Sequence, residues 1–136
     1  MLDIAEVREK PELFEADLVK RKQPEKVAWL HDLLKKDKEY RRVLQEIEVL
    51  RAKRNEITKE IEKLKAEKKP FDSKIALAKK ILAELKALEA KLAQLKEKVD
   101  HYLVRLPNIL HSSVPVGNVD LDNKIVRFWG KPVKIA

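Results

Sequence analysis

The chain has 136 residues, 40% of them charged and only 5% aromatic, and it carries a formal net charge of +8. So little aromatic bulk excludes a wide globular core, and an apolar content of 44% excludes a disordered chain of this charge. Cysteine is absent, which excludes disulfides and thiolate metal sites and is typical of a cytoplasmic protein. No membrane span or signal peptide is expected, because no uncharged apolar run approaches about eighteen residues and the N-terminus lacks an apolar stretch.

The first 24 residues are predicted to form short helices. Asp3 followed by Glu6 is a capping-box pattern, so a helix should run to about residue 10. Pro11 suits the first turn of a second helix, which should end near residue 22, before Gln23-Pro24. This second helix would present one apolar face, formed by Leu13, Phe14, Leu18 and Val19.

Residues 25–106 repeat apolar side chains at alternating steps of four and three, the 3.5-residue period of a left-handed coiled coil. The first run comprises Trp29, Leu33, Lys36, Tyr40, Val43, Ile47, Leu50, Arg54, Ile57, Ile61 and Leu64. The second comprises Ala78, Ile81, Leu85, Leu88, Leu92, Leu95, Val99, Tyr102 and Leu106. Pro70 ends the first helix, and Asp72 or Ser73 can cap the second. A connection this short, at about residues 69–73, makes its helices antiparallel, so the predicted fold is all-α, a long antiparallel two-helix coiled-coil hairpin.

A turn centred near residue 71 would also set the register of the two helices. It predicts that Tyr40 faces Tyr102 and that Glu46 lies near Lys91. Exposed charge pairs of this kind contribute about 0.2–1 kcal/mol each, so they select the register more than they stabilise the hairpin.

Such a hairpin favours binding over catalysis. Catalysis needs a concave, water-excluding pocket, which a two-helix hairpin does not offer. His31, His101 and His111 have no ligand spacing and are interpreted as surface residues, so neither a catalytic nor a metal site is predicted. Of the net charge of +8, residues 25–106 carry +7, an excess that attracts polyanions such as RNA. Lysines on a convex rod contact phosphates, and the alternative is a solvated lysine face.

Two cationic residues interrupt the apolar seam. Lys36 is interpreted as snorkelling, with its stem packed and its ammonium group in water. For Arg54 two interpretations stay open, because its guanidinium can snorkel in the same way or point at a phosphate or a partner.

Three segments carry a more specific signal. The opening LDIAEVREKPELF contains an Arg-Glu-x-Pro-Glu turn, LRAKRNEITKEI covers residues 50–61, and LPNILHSSVPVGNVDLDNKIVRFWG follows the hairpin. Together they resemble the N-terminal arm of seryl-tRNA synthetases, in its archaeal form. In the third segment the family pattern falls on Pro107, Asn108, His111, Ser113, Val114, Pro115, Gly117, Asp122, Asn123, Arg127, Trp129 and Gly130.

The resemblance implies a role for the chain and its contact residues. A full seryl-tRNA synthetase is a homodimer that joins serine to its tRNA through seryl-adenylate, with ATP and magnesium, in a class II catalytic domain. The family's hairpin holds the long variable arm and the elbow of serine tRNA, so that the acceptor end reaches that domain. The candidate tRNA-binding residues here are Arg51, Arg54, Asn55, Lys59, Lys63, Lys79, Lys80 and Lys86.

Residues 107–136 are interpreted as a connector toward a catalytic domain whose motifs the sequence lacks. The chain is therefore expected to have no enzymatic activity and no cofactor of its own, and to be a monomer or to associate weakly. The stretch KIVRFW looks like a strand without its sheet, so residues 118–136 are expected to be poorly ordered or to pair with a neighbouring copy. Two alternatives stay open, a prefoldin-like structural or chaperone hairpin and a stand-alone paralogue of the arm.

Overall fold

The computed structural model describes residues 2–117, 119–127 and 129–130. Its four helices are α1 (Ile4–Glu9), α2 (Pro11–Lys20), α3 (Pro24–Ala66) and α4 (Asp72–Arg105), followed by a 3-10 turn at Asp120–Asp122. Helices α3 and α4 pack against each other in opposite directions, α2 packs against α3, and the described residues contain no strand. The predicted all-α hairpin is confirmed. Its root is the end where α3 begins and α4 finishes, and its tip is the turn at residues 67–71.

The first helices begin as their sequences predict. The Asp3 carboxylate accepts a hydrogen bond from the backbone N–H of Ala5 at 2.8 Å, which caps α1. Pro11 lies in the first turn of α2, where its missing N–H has no cost. The predicted cap of α4 is wrong, because Phe71 occupies the cap position and no side chain bonds to the turn. Asp72 is instead the first helical residue, where its charge favours the positive end of the helix.

Two residues after the end of α2, and two residues after the end of α3, a lysine has a left-handed backbone conformation. Lys22 has φ 57° and Lys68 has φ 54°, and each is followed by a backbone N–H that bonds back across the last turn. At α3 this bond runs from Lys69 N–H to the Leu64 carbonyl at 3.0 Å, which is the geometry of a Schellman motif. The motif ends α3 at Ala66, before the predicted stop at Pro70.

This earlier helix end changes the register of the hairpin. The connection is centred midway between Ala66 and Asp72, at residue 69 and not near 71. The predicted pairing of Tyr40 with Tyr102 is wrong. The Tyr102 hydroxyl donates to Asp32 at 2.8 Å, and its ring centroid lies 6.3 Å from that of Trp29.

The surface charge pairs follow the observed register. Lys91 Nζ lies 2.8 Å from Glu39 Oε1, whereas the predicted partner, Glu46, pairs with Arg42 on its own helix at 3.6 Å. At the seam, Lys36 Nζ reaches the edge of the helix pair, 4.0 Å from Asp32 Oδ1. This geometry matches the predicted snorkelling.

The apolar interior consists of two clusters. The tip cluster is the coiled-coil seam and contains Val43, Ile47, Ile57, Ile81, Leu85 and Leu95. The root cluster joins the N-terminal helices to the hairpin and contains Leu2, Val7, Phe14, Leu18, Leu30, Leu33, Val99, Leu103 and Leu106. The predicted apolar face of α2 is only half right, because Leu13 and Val19 are 53% and 62% exposed. A ten-residue helix on the surface of the hairpin root buries a single narrow stripe.

A buried carboxylate lies between α1 and α3. Asp37 is 2% exposed and accepts two hydrogen bonds of 2.7 Å from the Arg8 guanidinium. Arg41 donates a third, at 3.1 Å, from the next turn of α3. The hydrogen bond to Asp37 is the main cause that raises the pKa of Arg8 above its usual value. The two charge-assisted bonds from Arg8 join α1 to the hairpin root, and the bond from Arg41 is made within α3.

A second buried carboxylate holds the start of the connector. Asp17 accepts from Arg21 at 2.7 Å and from the backbone N–H of Leu110 at 2.8 Å. Arg21 also donates to the Asn108 carbonyl, and Lys20 donates to the Val114 carbonyl at 3.0 Å. The connector therefore begins by running back along α2.

Beyond that point the described connector is irregular. Residues 123–127 form neither helix nor strand, and Leu121 and Val126 are more than 90% exposed. Gly117 approaches Asp122 so closely that a Cβ there would overlap the aspartate side chain. The expected disorder of residues 118–136 falls partly on residues 118, 128 and 131–136, which lie outside the described residues.

Candidate nucleic-acid interface

The distal half of the hairpin has two unlike sides. On one side a shallow groove of about 260 Å³ lies between the helices, here called the Arg54 groove. Its lining comprises Arg54, Thr58, Ile61, Ile75, Ala78, Lys79 and Leu82. Two cations and no carboxylate line it, so among the described residues its formal charge is +2.

The Arg54 guanidinium is oriented by its neighbours. It donates to Asn55 Oδ1 at 3.0 Å, while the Thr58 hydroxyl donates to the Arg54 carbonyl at 2.9 Å. Arg54 itself is exposed, although it occupies a seam position. Because no carboxylate lines the groove, the guanidinium presents an unneutralised positive charge to a ligand from solvent.

The opposite side is electrically balanced. It is lined by Leu50, Lys53, Glu56, Ile57, Glu60, Lys74, Leu77, Lys80, Ile81 and Glu84. Three lysines face three glutamates there, and Lys74 Nζ lies 2.7 Å from Glu60 Oε2. A polyanion is therefore attracted more strongly to the Arg54 groove than to this balanced face.

The structure separates the eight predicted contact residues. Arg54 and Lys79 line the groove together, and Asn55 adjoins it through its bond to Arg54. Lys86 follows Lys79 by seven residues, almost two full turns, so it lies on the same side. Arg51 is tied to Glu89 across the hairpin at 2.7 Å.

The other three predicted residues lie elsewhere. Lys80 lines the balanced face, because neighbouring residues on a helix point about 100° apart. Lys59 and Lys63 are exposed on α3 and line neither groove. Within the described part of the chain, none of these lysines pairs with a carboxylate, and the same holds for Lys79 and Lys86. Whether any of the eight contacts RNA stays a prediction.

Sequence reasoning found part of the apolar lining of the groove, since Ile61 and Ala78 are predicted seam positions, but it missed Ile75 and Leu82. Leu82 is 48% exposed, and Ile75 lines the same groove. An apolar residue outside the heptad seam was the available signal, and Thr58, one turn after Arg54, was another. The groove thus combines cations, a hydroxyl and apolar surface.

The histidines do not form a metal centre. All three are exposed: His31 lies 3.4 Å from Glu15, His101 contacts Arg105, and His111 Nδ1 lies 2.8 Å from the Ser113 hydroxyl. Among the described residues no cluster of three or more metal-binding side chains occurs. None of the helices in the described residues is long and apolar enough to cross a membrane.

Comparison with known proteins adds a family match. The model of the seryl-tRNA synthetase N-terminal domain matches residues 1–110, which include both N-terminal helices and the whole hairpin. The serine–tRNA ligase of Pyrococcus horikoshii is 48% identical over 131 residues, 96% of this chain. That of Methanocella arvoryzae is 44% identical over 134 residues, 98% of this chain.

A solved structure is similar as well. The crystal structure of seryl-tRNA synthetase from Pyrococcus horikoshii complexed with ATP superimposes with a TM-score of 0.85, at 48% identity and over 96% of this chain. The chain spans 29% of the Pyrococcus protein and 32% of the Methanocella protein.

Proposed function

Because the chain belongs to the seryl-tRNA synthetase N-terminal domain family, we propose that it is the tRNA-binding arm of a serine–tRNA ligase. In this role it holds the long variable arm and the elbow of serine tRNA through shape and phosphate contacts. The acceptor end of the tRNA then reaches a class II catalytic domain.

The dimensions of the hairpin support this role. Helix α3 has 43 residues, which at 1.5 Å per residue is about 65 Å. A rod of this length can touch one part of a folded RNA while its root is attached to another domain. A-form RNA is recognised mostly through shape, phosphates and 2′-hydroxyls, which suits a convex, lysine-rich surface without a deep pocket.

The observation that carries the proposal is the Arg54 groove. On this side of the distal hairpin two cations line a groove that contains no carboxylate among the described residues. Arg54 and Lys79 would bind phosphate oxygens, and Thr58 and Asn55 would bond to phosphates or ribose hydroxyls. Leu82 would pack against ribose carbons.

In this proposal the ligase reaction is carried out by the part of the relatives' chains that this chain does not match, which is the larger part of their length. That part would use serine, ATP and magnesium, and would form the homodimer. The 136-residue chain would bind tRNA in the cytoplasm without catalysis of its own. The family match over the whole hairpin disfavours the prefoldin-like alternative.

Filter binding tests the proposal with two RNAs, serine tRNA and the same tRNA without its long variable arm. We expect clear preference for the intact tRNA, and a steep loss of affinity between about 50 and 200 mM salt, because several phosphate contacts are released together. Equal affinity for the two RNAs would refute the assignment.

Paired substitutions locate the contact side. Arg54→Gln with Lys79→Gln should weaken tRNA binding about tenfold or more, since two phosphate contacts are lost. Lys53→Gln with Lys80→Gln removes the same charge from the balanced face and should change affinity much less. If the second pair is the more damaging, the RNA lies on the other side of the hairpin.

A further inference from the structure

Helix α2 carries an apolar stripe that the fold leaves uncovered. Leu13 and Val19 are 53% and 62% exposed, and Ala16, which lies midway between them, is exposed as well. The opposite side of α2, with Phe14 and Leu18, is buried in the root cluster. A single exposed apolar residue is ordinary, but contiguous apolar surface is the feature that marks interaction sites.

The exposed face of α2 is symmetric about Ala16. At about 100° per residue, Leu13 and Val19 lie about 60° to either side of Ala16 around the helix, and Glu12 and Lys20 lie about 40° to either side. Along the axis the apolar pair is about 4.5 Å from Ala16, and the charged pair about 6 Å. Turned end for end, this face therefore places apolar side chains at the level of apolar ones and acid at the level of base.

The two charges of this face can bond to groups outside the chain. Glu12 is exposed and forms no ion pair within the described residues. Lys20 Nζ donates to the Val114 carbonyl at 3.0 Å, which leaves two of its three N–H groups for another acceptor.

We propose that the exposed face of α2 binds the same face of a second copy of this chain, antiparallel and about a twofold axis at Ala16. A twofold interface brings identical surfaces together, so it requires a self-complementary pattern of this kind. In the commonest class of helix packing, with a crossing angle of about −50°, the rows of residues four apart on the two helices align. Glu12, Ala16 and Lys20 form such a row, so the Glu12 of each copy meets the Lys20 of the other.

The side chains around the crossing point suit close packing. Ala16 is small, which lets the two backbones approach each other at the axis, and Leu13 and Val19 cover the contact from both sides. A standard interface contributes about 20–30 residues from each partner, many more than this face offers, so we expect a weak dimer with a dissociation constant of about 0.1–1 mM. The inference does not depend on the proposed function, because α2 packs at the root and the Arg54 groove lies on the distal half of the hairpin.

Sedimentation equilibrium of the 136-residue chain, from about 10 µM to about 1 mM, tests the proposal. The wild type should pass from monomer toward dimer over this range. Glu12→Lys and Lys20→Glu each place like charges opposite one another twice per dimer, so each should weaken dimerisation about tenfold or more. The double variant Glu12→Lys/Lys20→Glu restores opposite charges and should dimerise like the wild type.

Two further samples make the test specific. An equimolar mixture of the two single variants should form a mixed dimer that neither variant forms alone. Glu97→Lys, on an exposed acid of α4, changes the net charge by the same amount as Glu12→Lys and should leave dimerisation unchanged. Circular dichroism verifies that each variant is folded.

Rescue by the double reversal separates a contact between copies from a local effect on α2. An acid near the start of a helix and a base near its end also stabilise that helix, so a purely local role would make the double variant worse than either single one. That result would overturn the proposal, and so would a chain that stays monomeric at every concentration or assembles beyond the dimer. A dimer that persists in Ala16→Glu, which brings two carboxylates together at the axis, would also overturn it.

Discussion

Replacing Asp37 by asparagine should destabilise the fold at the root of the hairpin. Asp37 is buried and accepts two bonds of 2.7 Å from Arg8 and one of 3.1 Å from Arg41. Asparagine keeps the size of the side chain and removes its charge, so one accepting oxygen and the ionic attraction are lost. The guanidinium of Arg8 is then left without its anion.

The magnitude follows from the burial of the partners. Breaking a buried ion pair by removing one member costs about 3–5 kcal/mol. Here the Arg8 side chain is 34% exposed, so water solvates part of the freed charge. We therefore expect the low end, about 3 kcal/mol less free energy of unfolding.

Urea unfolding followed by circular dichroism at 25 °C measures this loss. Asp100→Asn, on an exposed acid of α4, is the matched control and should change stability by less than about 0.5 kcal/mol. A double-mutant cycle with Arg8→Ala should return a coupling energy of at least about 1 kcal/mol. If Asp37→Asn costs no more than the control, the ion pair does not hold α1 to the hairpin.

The remaining predictions concern helix ends and pH. Lys68→Gly should raise the free energy of unfolding by about 1 kcal/mol, because glycine adopts the left-handed conformation without strain, whereas Lys69→Gly should bring no gain in the same urea titration. The pKa of Tyr102 is raised from its usual 10.0, mainly by its hydrogen bond to Asp32. The stability that this hydrogen bond contributes is therefore present below pH 10 and is lost as the pH rises through the folded-state pKa. Wild type should therefore lose Tm relative to Tyr102→Phe above pH 10, and parallel curves would contradict this. The pKa of Glu39 is lowered from 4.5 by Lys91, so the stability it contributes is present above pH 4.5 and is lost as the pH falls. The Tm difference between wild type and Glu39→Gln should be small at pH 7 and vanish on acidification, and a difference that grows in acid would reverse the assigned sign.

Periodicity predicted the hairpin because the seam is a local property of the sequence. Steps of four and three place each apolar residue on one stripe, and in the structure every position of that stripe except Arg54 is buried or half-buried. The register was wrong for an equally local reason. Lys68, which follows α3, has a backbone conformation usually adopted by glycine, and nothing in the neighbouring sequence predicts this.

The two buried carboxylates could not be predicted from spacing. The alternation of steps passes from Leu33 to Lys36 and skips Asp37, which would need two steps of four in succession, so the spacing gave no reason to bury Asp37. A buried aspartate is stable only with its partner, and Arg8 is separated from it by 29 residues. Only the packing of α1 onto α3 brings that partner to it.

The candidate site was predicted in composition but not in arrangement. Neighbouring lysines look like one cluster in the sequence, yet Lys79 and Lys80 lie on opposite sides of the hairpin. Leu82 was missed because it lies outside the seam, whereas Ile61 and Ala78 of the same groove are seam positions. Charge counts find a basic segment, but the helical turn decides which of its residues meet the same ligand.

The unbroken course of α3 from root to tip has a mechanical consequence. Over about 65 Å, a tilt of about 5° at the base displaces the far end by about 6 Å, roughly the width of a side chain. Accuracy at the tip is therefore decided at the opposite end of the molecule, by the ion pairs of Asp17 and Asp37. Weakening either set of ion pairs would make the position of the distal surface less precise, although no residue on that surface changes.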